Sequence, residues 1–203
     1  MADEGRPGEM TNYSPKTADE RSPSRAKDRG VDSYPVFRRE RPMRIAETSE
    51  GTFCCSDEES VADFAQHLAR VIAAPSTIGF SGDLGAGKTT LIRSFCAALG
   101  STVPVSSPTY VLSFEYTTTA GVLIEHWDLY RVYDLVPELL EPPSSRTIRL
   151  IEWPERMHSW GDLPDIVVTL SFGETPTARA ISVWPSAFGE LVKEEFYSTE
   201  RRG

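Results

Sequence analysis

The stretch Gly82-Asp83-Leu84-Gly85-Ala86-Gly87-Lys88-Thr89 constrains this chain more than any other. It satisfies the spacing G-x-x-x-x-G-K-[ST]. A short apolar run, Thr77–Phe80, precedes it, and a helical run from Lys88 to Gly100 follows, with Leu91, Ile92, Phe95, Cys96 and Leu99 apolar. With glycine at about 7% of residues, a chance match in a chain of this size is on the order of 1%. Strand, glycine-rich turn and helix together describe a phosphate-binding loop. Glycines let backbone N–H groups of residues 83–90 turn inward onto phosphate oxygens. The helix N-terminus adds positive partial charge. Lys88 would meet the β- and γ-phosphates, and the Thr89 hydroxyl would ligate magnesium. The bound nucleotide is expected to be ATP rather than GTP. Guanine-specific GTPases of the common type carry N-K-x-D, and none of Lys16, Lys27, Lys88 and Lys193 follows an asparagine.

Charge divides the chain. Residues 1–44 hold 10 Lys and Arg against 8 Asp and Glu, while the whole 203-residue chain has 21 against 30. Residues 1–42 carry five prolines and almost no Leu or Ile, so they cannot bury enough apolar surface to offset ordering. They read as a disordered tail, and residues 43–203 as one P-loop ATPase domain. The acidic body argues against direct nucleic-acid binding, which needs a basic face; no DNA contact is expected. Three cysteines, Cys54, Cys55 and Cys96, make a poor disulfide framework. No run of about 18 apolar residues exists, and Met-Ala-Asp-Glu is no secretory leader. A cytoplasmic protein without a membrane contact is expected.

Along the body, Arg44–Glu47 reads as an edge strand. Ser56-Asp57-Glu58-Glu59 has the S-x-x-E capping pattern. It opens a helix to about Ala73 with Val61, Phe64, Ala65, Leu68, Val71 and Ile72 at helical spacing. Strands are expected at Tyr110–Tyr116, Val122–His126, Ile148–Ile151, Ile166–Phe172 and Ala178–Trp184, and a last helix from Ser186. Trp160 and Trp184 read as core, His67 and His158 as solvated or capping. The order predicts an α/β, three-layer P-loop NTPase-like fold with a mixed central sheet flanked by helices.

Two acids stand at strand ends. Val122–Asp128 ends in Asp128, and Leu150-Ile151-Glu152-Trp153-Pro154 carries Glu152. Carboxylates at the carboxyl ends of such strands share the edge where the phosphate loop lies. Either one suits magnesium or the attacking water, and spacing leaves that choice open. Ser106–Tyr110 is a polar turn whose Thr109 hydroxyl suits a γ-phosphate sensor. Arg131 suits a pairing with Glu125 or Asp134, or a phosphate.

The set GDLGAGKT (Gly82–Thr89), SPTY (Ser107–Tyr110), HWDLYR (His126–Arg131) and IEWP (Ile151–Pro154), in this order and spacing, closely resembles the TsaE (YjeE-like) family. These are P-loop ATPases of bacterial tRNA threonylcarbamoyladenosine biosynthesis, and the resemblance covers about Met43 to the C-terminus. It implies slow, magnesium-dependent ATP hydrolysis that is useful in complex with TsaD-like and TsaB-like proteins. That complex modifies adenosine 37 of tRNAs reading ANN codons, so this chain would meet tRNA only indirectly. Residue by residue, the resemblance implies Lys88 on phosphate, Thr89, Asp128 and Glu152 near magnesium, and Thr109 at a switch-like position. Trp153 would lie beside the nucleotide and Glu58 toward its nucleoside end. His126 falls within the motif, and a structural hydrogen-bonding role is expected of it.

Two stretches depart from that pattern. Asp134–Ser145 is shorter and proline-rich, and Thr175-Pro176 stands where relatives carry Gly-Arg, with Arg179 the nearest arginine. Two other readings of the phosphate loop remain at this stage. One is a small-molecule or nucleoside kinase, with Arg146, Arg149 and Arg156 as the clustered lid candidates. The other is a non-hydrolytic, ATP-dependent interaction module.

Overall fold

The computed structural model describes residues 45–47, 52–157 and 164–200. The expected tail over residues 1–42 lies outside them, as do His158 and Trp160. In chain order the elements are β1 (Ile45–Glu47), β2 (Thr52–Cys55), α1 (Glu58–Val71), β3 (Ser76–Ser81) and α2 (Lys88–Ala98). They continue with β4 (Ser113–Thr117), β5 (Leu123–Asp128), β6 (Thr147–Glu152), β7 (Ile166–Phe172), β8 (Arg179–Trp184) and α3 (Ser186–Glu200). Single 3₁₀ turns occupy Pro137–Leu139 and Pro154–Met157.

The strands form one mixed sheet in the order β1-β2-β8-β7-β3-β6-β5-β4. Its middle is parallel, with β3 between β6 and β7 and β5 beside β6, and antiparallel strands continue it at both edges. This is the expected α/β fold with a mixed central sheet. Parallel strands must be covered on both faces, and β6, in the middle of the sheet, is buried at all six of its positions. Alternation along β6 shows the two coverings. Ile148 and Leu150 face the main core, and Ile151 packs with Leu129, Val136, Leu139 and Met157 in a second one.

The main core is built on α1 and α2. Val61, Phe64, Ala65 and Leu68 recur at one helical face and are buried, and α1 packs against both α2 and α3. Phe64 meets Phe53 of β2 with ring centroids 5.0 Å apart. Burying a side chain of that size stabilises by about 1.5–3 kcal/mol. The second core uses the proline-rich stretch, where Val136 and Leu139 are buried around the 3₁₀ turn. No helix among the described residues is long and apolar enough to cross a membrane.

One strand was not anticipated, and three expectations are corrected. β2 was not anticipated: only Phe53 and Cys55 of its four residues point inward. The cap of α1 is Asp57, not Ser56. Its carboxylate accepts the Ser60 N–H at 2.9 Å, and the Ser60 hydroxyl accepts the Asp57 N–H at 3.1 Å. The strand expected from Tyr110 begins at Ser113, because the Pro108 carbonyl takes the N–H groups of Val111 and Leu112 into a turn. Trp184 is not core; it is 57% exposed, on the outward side of β8 from Ile181 and Val183.

Candidate functional site

Strand β3 ends at Ser81, and the phosphate loop leaves the carboxyl edge of the sheet from there. Gly82 has φ of +130°, and a Cβ on it would stand 2.1 Å from the Leu170 carbonyl oxygen of β7. Gly85 has φ of +82°, and a Cβ there would meet nothing within 4 Å, so the loop is open above it. Ala86 anchors the loop in the core, with its N–H on the Asp83 carbonyl at 3.1 Å. Gly87 starts α2 with φ of +103° and no side-chain cap. The first amide groups of a helix so begun are an anion site.

Register places the acids. Phe80 of β3 is opposite Glu152 of β6, and Glu152 is opposite Asp128 of β5, so both carboxylates stand one and two strands from the loop. Both are buried, at 3% and 5% exposure. Buried carboxylates require donors, and each has its own set. Glu152 accepts from the Thr89 hydroxyl, 2.8 Å to Oε1 and 3.0 Å to Oε2, and lies 2.9 Å from His126 Nε2. Asp128 accepts from Thr109 Oγ1, from the Tyr130 N–H at 2.9 Å, and from Ser107 Oγ at 3.5 Å. The loop bearing Ser107 and Thr109 is itself held, since Arg93 of α2 donates to the Val105 carbonyl and Tyr116 of β4 bonds Ser106.

Lys88 completes the floor. Its Nζ donates to the carbonyls of Gly82 (2.7 Å) and Asp83 (2.9 Å) and sits 3.7 Å from the centre of the Trp153 ring. Burial lowers its pKa below the usual lysine range, opposed by Glu152, Glu155, Asp128 and Asp83. Trp153 holds a left-handed φ of +63°, with its N–H on the Phe80 carbonyl at 3.1 Å. Such strain in a non-glycine residue is characteristic of functional sites.

These groups line a cleft of about 390 Å³, within the range of small-ligand sites. Leu84, Gly85, Gly87, Lys88, Thr109, Asp128, Glu152 and Trp153 are in its wall together with Tyr130 and Arg131. Asp83 lies in the loop itself and Thr90 in the first turn of α2. Glu58 is not in the wall; it is exposed in the first turn of α1. That end of α1 adjoins the β7–β8 loop, where Thr177 Oγ1 donates to the Ser56 carbonyl at 3.2 Å. The donor set suits magnesium. Thr89, Asp128 and Glu152 supply hard oxygen atoms, and magnesium takes one or two carboxylates with phosphates and waters rather than an all-protein cage. Among the described residues no group of three or more His, Cys, Asp and Glu forms such a cage.

Several site contacts were not legible beforehand. Arg179 Nε donates to the Ala86 carbonyl at 2.7 Å and so fastens the phosphate loop to β8. Arg131 pairs with neither acid expected of it; its guanidinium stands 4.9 Å from the Tyr110 ring centre, and Arg149 takes Glu125 at 2.7 Å. Arg146 donates to the Ala120 carbonyl and Arg149 is buried in β6, so the three clustered arginines do not form a lid. A second cleft of about 430 Å³ adjoins the first, lined by Tyr130, Arg131, Tyr133 and Arg156.

A sequence model of the family described as threonylcarbamoyl adenosine biosynthesis protein TsaE matches residues 55–181. The chain is 40% identical over 138 residues to the tRNA threonylcarbamoyladenosine biosynthesis protein TsaE of Haemophilus influenzae, covering 63% of this chain and 84% of that protein. It is 34% identical over 140 residues to the protein of the same name from Nostoc sp., covering 62% and 80% respectively. Its fold is similar to that in the crystal structure of Bacillus subtilus YdiB, with a TM-score of 0.54 and 20% identity, over 73% of this chain and 95% of that one.

Proposed function

Because the chain belongs to the TsaE family, we propose that it hydrolyses ATP in the service of tRNA threonylcarbamoyladenosine formation, acting on a TsaD–TsaB pair. The observation that carries this reading is the contact of Thr89 with Glu152 at the start of α2, one strand from Asp128. A glycine-rich loop with its lysine would bind any nucleotide phosphate. A magnesium-side threonine already joined to a buried carboxylate, with a second carboxylate beside it, is what hydrolysis adds.

In this reading Lys88 exchanges the Gly82 and Asp83 carbonyls for β- and γ-phosphate oxygens, whose negative charge favours its ammonium form. The loop amides from Asp83 to Thr90 wrap the phosphates, and Trp153 excludes water from the lysine. Thr89 and Glu152 hold the magnesium side, and magnesium supplies neutralisation of the charge that develops on the phosphates. Asp128, tied through Thr109 to the S-P-T turn, orients the attacking water. Glu58, exposed in the first turn of α1, is assigned to the nucleoside end. The domain comprises residues 43–203, with residues 1–42 as a tail.

The exposed Tyr110, Arg131, Tyr133 and Arg156 around the second cleft support a docked partner, because aromatic and arginine side chains are enriched where interfaces bind tightly. Phosphate release is the test. The expected result is magnesium-dependent release from ATP that rises when the TsaD–TsaB pair is added. Absence of ATP binding by calorimetry would overturn the nucleotide reading, and an unchanged rate with the pair would overturn the partner.

A further inference from the structure

His126 lies in β5 between Ile124 and Asp128 along the strand, on the same side of the sheet as both. It is fully buried, and its ring makes one polar contact: Nε2 stands 2.9 Å from Glu152 Oε1. Nδ1 is buried with no hydrogen-bond partner among the described residues. A carboxylate only accepts, so the bond to Glu152 requires the proton on Nε2. An apolar ring would fill this space without an unpaired nitrogen, which is destabilising when buried. The contact with Glu152 is therefore what the imidazole contributes.

We propose that His126 is a positioning residue that fixes the plane of the Glu152 carboxylate for the magnesium side of the site, an inference that rests on the nucleotide reading above. Glu152 Oε1 receives both His126 Nε2–H and the Thr89 hydroxyl, while Oε2 has the longer Thr89 contact alone. The carboxylate cannot rotate without losing the histidine bond, and Oε2 is left as the less engaged oxygen for the cation or its water. Outer partners of this kind govern metal affinity rather than nucleotide affinity, by 10–100-fold on removal.

The test titrates a non-hydrolysable imido analogue of ATP into the full chain by calorimetry, across a magnesium series and in EDTA. Wild type is expected to bind more tightly with magnesium. His126→Phe keeps an aromatic ring at the position and removes both nitrogens. It should raise the magnesium concentration for half effect by about 10–100-fold, leaving the EDTA affinity unchanged. His126→Gln sets an amide N–H near the Nε2 position and should restore most of that loss, whereas His126→Asn, with its amide near Nδ1, should not. A folded Phe variant with wild-type magnesium dependence overturns the role of His126. If the Phe variant does not fold, equal magnesium dependence of the Gln and Asn variants overturns it instead. Wild type that binds the analogue in neither condition sinks the nucleotide reading itself, a separate outcome.

Discussion

On the floor of the cleft Lys88, Asp128 and Glu152 are each at most 5% exposed, whereas on its rim Tyr110 and Tyr133 are 86% and 84% exposed and Arg131 and Arg156 face solvent. Each floor charge is held by at least two partners drawn from separate elements: Lys88 by loop carbonyls and Trp153, Glu152 by α2 and β5, Asp128 by the Ser107–Thr109 turn and Tyr130. Rim arginines rest over single aromatic rings at 4.9 and 5.9 Å. The difference follows from solvent. A buried ion is costly unless its partners are fixed, and fixed partners are what stabilise charge during reaction without reorganisation. An exposed guanidinium over a ring is worth about 0.5–1 kcal/mol while water screens it, and more once another surface removes that water. In the proposed reading the floor thus serves the chemistry and the rim the contact with a partner.

The hardest blow to this comparison is dealt at the floor. Glu152→Ala takes away the acid shared by Thr89 and His126, and hydrolysis in the complete assembly should fall by about 10²–10³-fold, the scale for losing one preorganised charge-stabilising group. Survival of hydrolysis with loss of complex formation would make the acid structural and favour a non-hydrolytic interaction module. Thr109→Val is milder. It removes the hydroxyl on Asp128 without changing shape, so kcat should drop by about 10–100-fold with KM little altered. A change confined to KM would move Asp128 from the reaction to nucleotide binding.

The rim is probed with Tyr133→Ala and Arg156→Ala together, because both line the second cleft alone. Hydrolysis by the isolated chain should be unchanged, while half-maximal stimulation should need about tenfold more TsaD–TsaB pair, the effect of losing a little over 1 kcal/mol at an interface. Equal loss with and without the pair would erase the distinction between floor and rim.

Floor and rim also differ in how far the sequence announced them. Lys88, Thr89, Asp128 and Glu152 were legible because a phosphate loop must follow a parallel strand, and neighbouring parallel strands must end at the same edge. Thr109 and Trp153 came with linked motifs. Glu58 was anticipated at the nucleoside end, and its exposed position on α1 outside the cleft wall gives that role no contact of its own. Arg179 was marked only as the nearest arginine to Thr175-Pro176, and its bond to Ala86 was not legible because it joins residues 93 positions apart. Tyr133 and Arg156 likewise meet only through the fold. The misread elements have local causes. β2 offers just two inward residues, and Trp184 was read as core although the period of two along β8 already puts it on the other face from Ile181 and Val183.

The smallest expected effect separates floor from rim by pH alone. Burial holds the Lys88 pKa below its usual 10.5, so between that lowered value and 10.5 the unfolded chain binds a proton that the folded chain has released. The unfolded state is the more protonated there, and stability gains from Lys88 as pH rises through the window. The gain can be no steeper than about 1.4 kcal/mol per pH unit, the limit for one proton. Cys55 and Cys96 work the other way, because burial raises both thiols to about 12, so their contribution is lost as pH climbs above the unfolded thiol value. The difference between wild type and Lys88→Met cancels the thiols. Measured by denaturant unfolding from pH 8 to 10, that difference should grow in favour of wild type. Arg131→Ala should show no such trend, since a guanidinium stays charged throughout. Saturating wild type with ATP and magnesium should flatten the Lys88 trend, because phosphate oxygens restore the charged form. A flat difference without nucleotide would mean that the lysine is already as well solvated as the rim.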